Sequence, residues 1–140
     1  MSSSASLTSG VAGRYATALF EIARDGGSID KVEADISAVA AALEASADLR
    51  GMITSPVYSR EDQAAAVRAL ATRMELGADV ANTLGLMAAN RRLFVLPGVI
   101  AQLRALIAQH RGEVTAEVRS ATPLTEEQTA ALAARRSEEH

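Results

Sequence analysis

The sequence predicts a mainly α protein: an N-terminal six-helix bundle over 11–112, followed by an incomplete small α/β C-terminal domain over 113–140. Three observations predict it. Apolar residues make up 49% of the chain, yet it holds only two Phe, two Tyr and no Trp. Alanine, the commonest residue, is the best helix former and a poor strand former. Apolar positions recur at three- and four-residue steps between Gly, Pro and Ser punctuation as far as Gly112. Beyond Gly112 the period changes to two.

Residues 1–10 are Ser-rich and lack both the charged and the apolar region of a secretory signal, so they read as a disordered lead-in. The first helix is predicted over 11–24, with Ser9 as N-cap and Asp25-Gly26-Gly27 as its stop. Ala16, Leu19, Phe20 and Ala23 form one face, and Tyr15, Ala18 and Ile22 form a second beside it. A helix apolar over so much of its circumference packs centrally or meets partners on two sides. The second helix, 29–45, carries Ile29, Val32, Ile36, Val39, Ala40 and Leu43 on one stripe, with Ser28 as cap. A short third helix starts at an Asp48 cap and stops at Ser55-Pro56. The fourth opens with the capping box Ser59-x-x-Asp62 and closes at Gly77. Its inner face is Val67, Leu70, Ala71 and Met74.

The fifth helix, 79–89, has Val80, Leu84 and Met87 inward and Leu86 on another side. Asn90 suits the left-handed conformation of a helix end, and Arg91 and Arg92 favour the negative end of a helix dipole. Pro97 fits the first turn of a sixth helix over 97–111, with Gly112 at its end. The predicted core unites Phe20, Ile36, Leu70, Leu84, Leu103 and Ile107. Over 113–120, Val114, Ala116 and Val118 alternate with polar residues, the pattern of a strand with one buried face. Thr125-Glu126-Glu127-Gln128 is a second capping box, opening a helix to about residue 136. One strand and one helix cannot close a core, so the C-terminal domain reads as truncated, its residues exchanging fast in isolation.

Composition excludes much. Net charge is −3, from 14 basic and 17 acidic residues, with 11 of each up to Gly112 and 3 against 6 after it. No basic stripe exists, so nucleic acid is a poor partner. There is no cysteine, and the two histidines, His110 and His140, stand far apart, so no zinc or thiolate site is expected. His110 reads as a polar residue in the last turn of a helix. No apolar run approaches the ~20 residues of a membrane helix. No nucleophile elbow, P-loop or dinucleotide-binding glycine pattern occurs, so no catalytic residue and no cofactor are expected. Arg91 and Arg92 are plainly read as a solvated helix corner; binding an anion is the sharper alternative.

Three stretches also carry a resemblance. Asn90-Arg91-Arg92-Leu93, then Leu96-Pro97 and an apolar helix, resembles the delta subunit of bacterial ATP synthase, whose mitochondrial counterpart is the oligomycin-sensitivity-conferring protein. Arg14-Tyr15-Ala16-Thr17-Ala18-Leu19-Phe20 is similar to that family's first helix. His110-Arg111-Gly112-Glu113-Val114, followed by Ser120-Ala121-Thr122-Pro123-Leu124, is similar to its interdomain junction. The matches stand in family order and span 14–124. The resemblance implies a non-catalytic stator of the proton-translocating ATP synthase, one copy per complex. It would tie the catalytic head to the peripheral stalk at the cytoplasmic face of the bacterial inner membrane, with indirect membrane association. It further implies that the N-terminal helix of an alpha subunit lies in a groove between the first and fifth helices. On these helices Tyr15, Ala18 and Ile22 share one face and Asn82, Leu86 and Ala89 share another. The b subunits of the stalk would meet the C-terminal domain. The residues alone also fit a helical adaptor or regulator unrelated to ATP synthase.

Overall fold

The computed structural model describes residues 2–121. Six α-helices follow one another: α1 Ser2–Gly26, α2 Ile29–Ala45, α3 Ala47–Thr54, α4 Arg60–Arg73, α5 Ala78–Ala89 and α6 Leu96–Ala121. A short 3-10 turn, Leu93–Val95, precedes α6, and no strand occurs among the described residues. The chain divides into two compact units, 1–108 and 109–140.

The first unit closes around one core. Its fully enclosed members include Leu19 of α1, Ile36 and Val39 of α2, Leu84 and Met87 of α5, and Leu103 and Ile107 of α6. Phe20 joins them at 8% exposure, its ring covered by the Arg24 guanidinium 5.7 Å from the centroid. Of the six expected core residues only Leu70 is displaced, being half-buried and outside the cluster. Small residues let α1 and α6 approach closely. A Cβ built on Gly98 would stand 3.1 Å from that of Ala12, and one on Gly13 would stand 2.9 Å from Gln102 Oε1.

The helix ends depart from expectation in instructive ways. Helix α1 begins at Ser2, not at a Ser9 cap, so residues 2–10 are helical where a disordered lead-in was expected. Ser9 sits inside the helix, where its carbonyl accepts a bond from Gln102 Nε2 at 3.0 Å. At the other end the Gly stop holds: Gly27 takes φ +69°, and Ser28 N–H bonds Ala23 O at 2.8 Å, closing a Schellman turn. The same turn ends α4 and α5, but with Glu75 (φ 54°) and Arg91 (φ 58°) in the left-handed position. Gly77 and Asn90 do not take that role. Gly77 is instead the N-cap residue of α5, and Asn90 stays at φ −92°.

Two caps also shift. Ser46, not Asp48, accepts the Leu49 N–H at 3.0 Å to start α3. Ser28 makes no side-chain cap on α2; its hydroxyl donates to Asp79 Oδ2 at 2.9 Å, tying α2 to α5. Ser59 does cap α4, accepting from Asp62 N–H at 3.0 Å.

The strand expected over 113–120 is a correction: those residues are helical, in one helix that runs through Gly112 to Ala121. His110 is accordingly inside a helix and not in its last turn. Val114 and Val118 are four residues apart, so a pattern that alternates by two also places them on one helical face. Ala116 alone separates the two periods, since a helix turns it to the opposite side, and one small side chain is a weak signal. The capping box at Thr125 and the helix expected after it lie outside the described residues.

The segment Leu93–Arg119 also has the length and composition of a membrane span, contrary to the reading of the apolar runs. Phe94, Val114 and Val118 are exposed, while seven of its apolar side chains, Leu93, Val95, Leu96, Val99, Ile100, Leu103 and Ile107, are buried in the protein core. That is the profile of a core helix.

Candidate partner-binding face

Helices α1 and α5 pack against each other, and the residues singled out on them point outward. Ala18, Asn82 and Ala89 are exposed and Tyr15 is half-buried. Ile22 and Leu86 are 52% and 54% exposed, a large apolar area for two helices in contact. A hydrogen bond fixes their relative setting: Asn90 Nδ2 donates to the Tyr15 hydroxyl at 3.1 Å. Asn90 lies one turn beyond Leu86 on the same side of the helix path. The Tyr15 and Leu86 faces therefore flank one surface and do not lie on opposite sides.

Asn90 is the C-cap residue of α5, as the helix-end rules expect, but not in the left-handed conformation. Its amide clasps α1, and Arg91 absorbs the left-handed turn. The sequence shows a polar residue at a helix end, but no local rule says that the same residue also reaches across to another helix.

The opposite end of α5 is braced as well. Asp35, 4% exposed, accepts the Gly77 N–H at 2.7 Å and pairs with Lys31 Nζ at 2.9 Å. Lys31 Nζ also donates to Glu75 O at 3.1 Å, and Ser28 holds Asp79. With α5 held at both ends, the α1/α5 face is preorganised, which lowers the ordering cost of binding. Among the described residues no group of acidic, His or Cys side chains is arranged to hold a metal.

An exposed apolar face on two braced helices is the kind of surface that helical binding modules present. Comparison with known proteins makes the class specific. Residues 11–139 match the ATP synthase delta (OSCP) subunit family. The chain is 52% identical over 134 residues to the ATP synthase subunit delta of Cereibacter sphaeroides, covering 96% of this chain and 72% of that one. It is 54% identical over 133 residues to that of Paracoccus denitrificans, covering 95% and 71%. For Rhodobacter capsulatus the values are 51% over 134 residues, 96% and 72%. The chain belongs to the ATP synthase delta (OSCP) subunit family. It is a non-catalytic stator subunit of the peripheral stalk and part of the membrane-associated ATP synthase complex, which sets aside an unrelated adaptor.

Proposed function

We propose that the α1/α5 face receives an amphipathic helix from the N-terminus of an alpha subunit. Residues 11–112 then act as a six-helix head-binding domain. The remainder of the chain reaches the b subunits of the peripheral stalk, at the cytoplasmic face of the bacterial inner membrane, with one copy per complex. The observation that carries this reading is the pairing of exposed Ile22 and Leu86 on two helices joined by the Asn90–Tyr15 bond. A helix laid between them would bury spaced apolar anchors, the helix-in-groove mode of recognition. Ala18, small and exposed, leaves room for that helix to come close to α1.

The mechanical logic is that of linked contacts. A stator must hold the head against rotor torque, and two attachments on one chain hold better than either alone, because the second closes intramolecularly.

The test is calorimetric titration of the 140-residue chain with an alpha-subunit N-terminal peptide. Ala18→Asp places a charge in the centre of the contact and should weaken binding by roughly ten-fold or more, about 1.4 kcal/mol. Far-UV circular dichroism should be unchanged, since Ala18 is exposed. Unchanged affinity in Ala18→Asp and in Leu86→Asp would remove this face from the interface.

A further inference from the structure

On α3 and the start of α6 the structure holds a second recess, with its own charge pattern. A cavity of about 600 Å³ is walled by Ala40, Leu43, Ile53, Pro97 and Ile100, with Glu44, Arg50 and Thr54 completing its walls. A smaller one of about 180 Å³ shares Ile53 and Thr54 with it and is completed by residues including Pro56, Gln63, Arg91 and Phe94. The two thus meet along the C-terminal turn of α3. Their floor is apolar and close to enclosed: Leu43, Ile53 and Ile100 are 7%, 4% and 5% exposed.

Each cavity contains one arginine that is held in place by backbone carbonyls and not by a carboxylate. Arg50 Nη1 bonds Leu43 O at 2.6 Å and Glu44 O at 2.8 Å. Arg91 Nη1 bonds Tyr58 O at 2.6 Å. Carbonyl acceptors fix a guanidinium without neutralising it, so both charges remain available to an anion. Arg91 additionally occupies a left-handed backbone position where glycine is the ordinary choice.

The smaller cavity is also lined by an unmet acceptor. Gln63, 5% exposed, donates Nε2 to Met52 O at 3.1 Å, which fixes the orientation of its amide. Its Oε1 is buried without a hydrogen-bond partner, so it calls for a donor such as an N–H or hydroxyl of an occupant and not for a carboxylate. Phe94, 48% exposed between buried Leu93 and Val95, stands at the smaller cavity as an aromatic contact.

We infer that this double recess is a second protein-docking site, whose occupant is a partner segment with apolar side chains flanked by carboxylates. The charge pattern selects that chemistry. A neutral small molecule would use the apolar floor but neither guanidinium. A free carboxylate would use an arginine but none of the floor. An acidic amphipathic segment uses both, with apolar anchors over Ile53 and Ile100. Glu44 disfavours a carboxylate in the larger cavity, so the principal anion position is at Arg91, where the wall has no acidic residue.

The test is an NMR titration of the isotope-labelled 140-residue chain with a synthetic amphipathic helix of Leu and Glu, and with the same helix carrying Lys in place of Glu. The Leu/Glu peptide should shift Ile53, Thr54, Phe94 and Ile100, and should bind roughly ten-fold or more tightly than the Lys version, as expected of a charge-selective contact. Arg91→Glu should lose that preference. Because Arg91 also forms a helix-ending turn, Phe94→Asp, on an exposed ring, serves as a second variant and should weaken binding with the helical signal retained. Ala18→Asp should leave this binding intact, which separates the site from the α1/α5 face. Equal binding of both peptides, shifts confined to the Ile22 and Leu86 region, or self-association of the free chain through Phe94 would each overturn the proposal.

Discussion

The two halves of α6 make different use of the same secondary structure. From Leu96 to Ile107 the helix buries Leu96, Val99, Ile100, Leu103 and Ile107, a stripe at three- and four-residue steps. From Arg111 to Arg119 every residue is exposed, Val114 and Val118 included, at 42% and 61%. The second half carries short-range bonds: Thr115 Oγ1 donates to Arg111 O at 2.9 Å, and Gln109 Nε2 to Glu113 Oε1 at 3.2 Å. One half is a helix because tertiary packing requires it. The other shows exposed side chains and short-range bonds, and these stabilise a short helix only weakly.

That difference is sharpest in the response to truncation. Leu103 is fully enclosed, so Leu103→Ala should cost roughly 2–5 kcal/mol in urea-induced unfolding, through lost burial and a residual cavity. This is a large part of a small domain's stability. A loss under ~1 kcal/mol would mean that the first half is not the core element its burial indicates. The next effect in size comes from adding volume. Gly98→Val should cost roughly 1–3 kcal/mol, because the new side chain meets Ala12 at a helix crossing that is already close. Pairing it with Ala12→Gly should recover part of the loss. No recovery would locate the damage elsewhere than at that crossing.

The same contrast explains what was legible in the sequence. The core was readable because Leu84, Leu103 and Ile107 recur with the helical period and burial imposes that period. Leu70 lies outside the core because α4 has few large apolar residues, and its buried side includes the polar Gln63, which hydropathy cannot flag. The two binding-face triplets were readable only as faces. Their juxtaposition depends on Asn90 reaching Tyr15 across 75 residues, which no local pattern encodes. Helix ends failed where a non-glycine residue, Glu75 or Arg91, took the left-handed turn. The strand over 113–120 failed because Val114 and Val118, four residues apart, share a face in a strand and in a helix alike, and the single residue that tells the two apart, Ala116, is too small to carry a strong signal.

The smallest effect is also the most discriminating for the second half of α6. Ala116 is exposed in a helix in this structure, but it faces the core side of a strand in the sequence reading. Proline inside a helix removes a hydrogen bond and clashes with the preceding turn, costing ~3 kcal/mol where the helix is part of the cooperative unit. An exposed segment opens locally and does not transmit that cost. Ala116→Pro should therefore move the global unfolding midpoint by less than ~0.5 kcal/mol, the ordinary range for exposed sites. It should still abolish the helical Cα chemical shifts of neighbouring residues. In the parent chain, the Val114 and Val118 amides should exchange far faster than those of Leu103 and Ile107, while their Cα shifts remain helical. Extended-type shifts at Val114 and Val118 would restore the strand. A midpoint that fell by the full proline penalty would show that this half of the helix is packed and not free-standing.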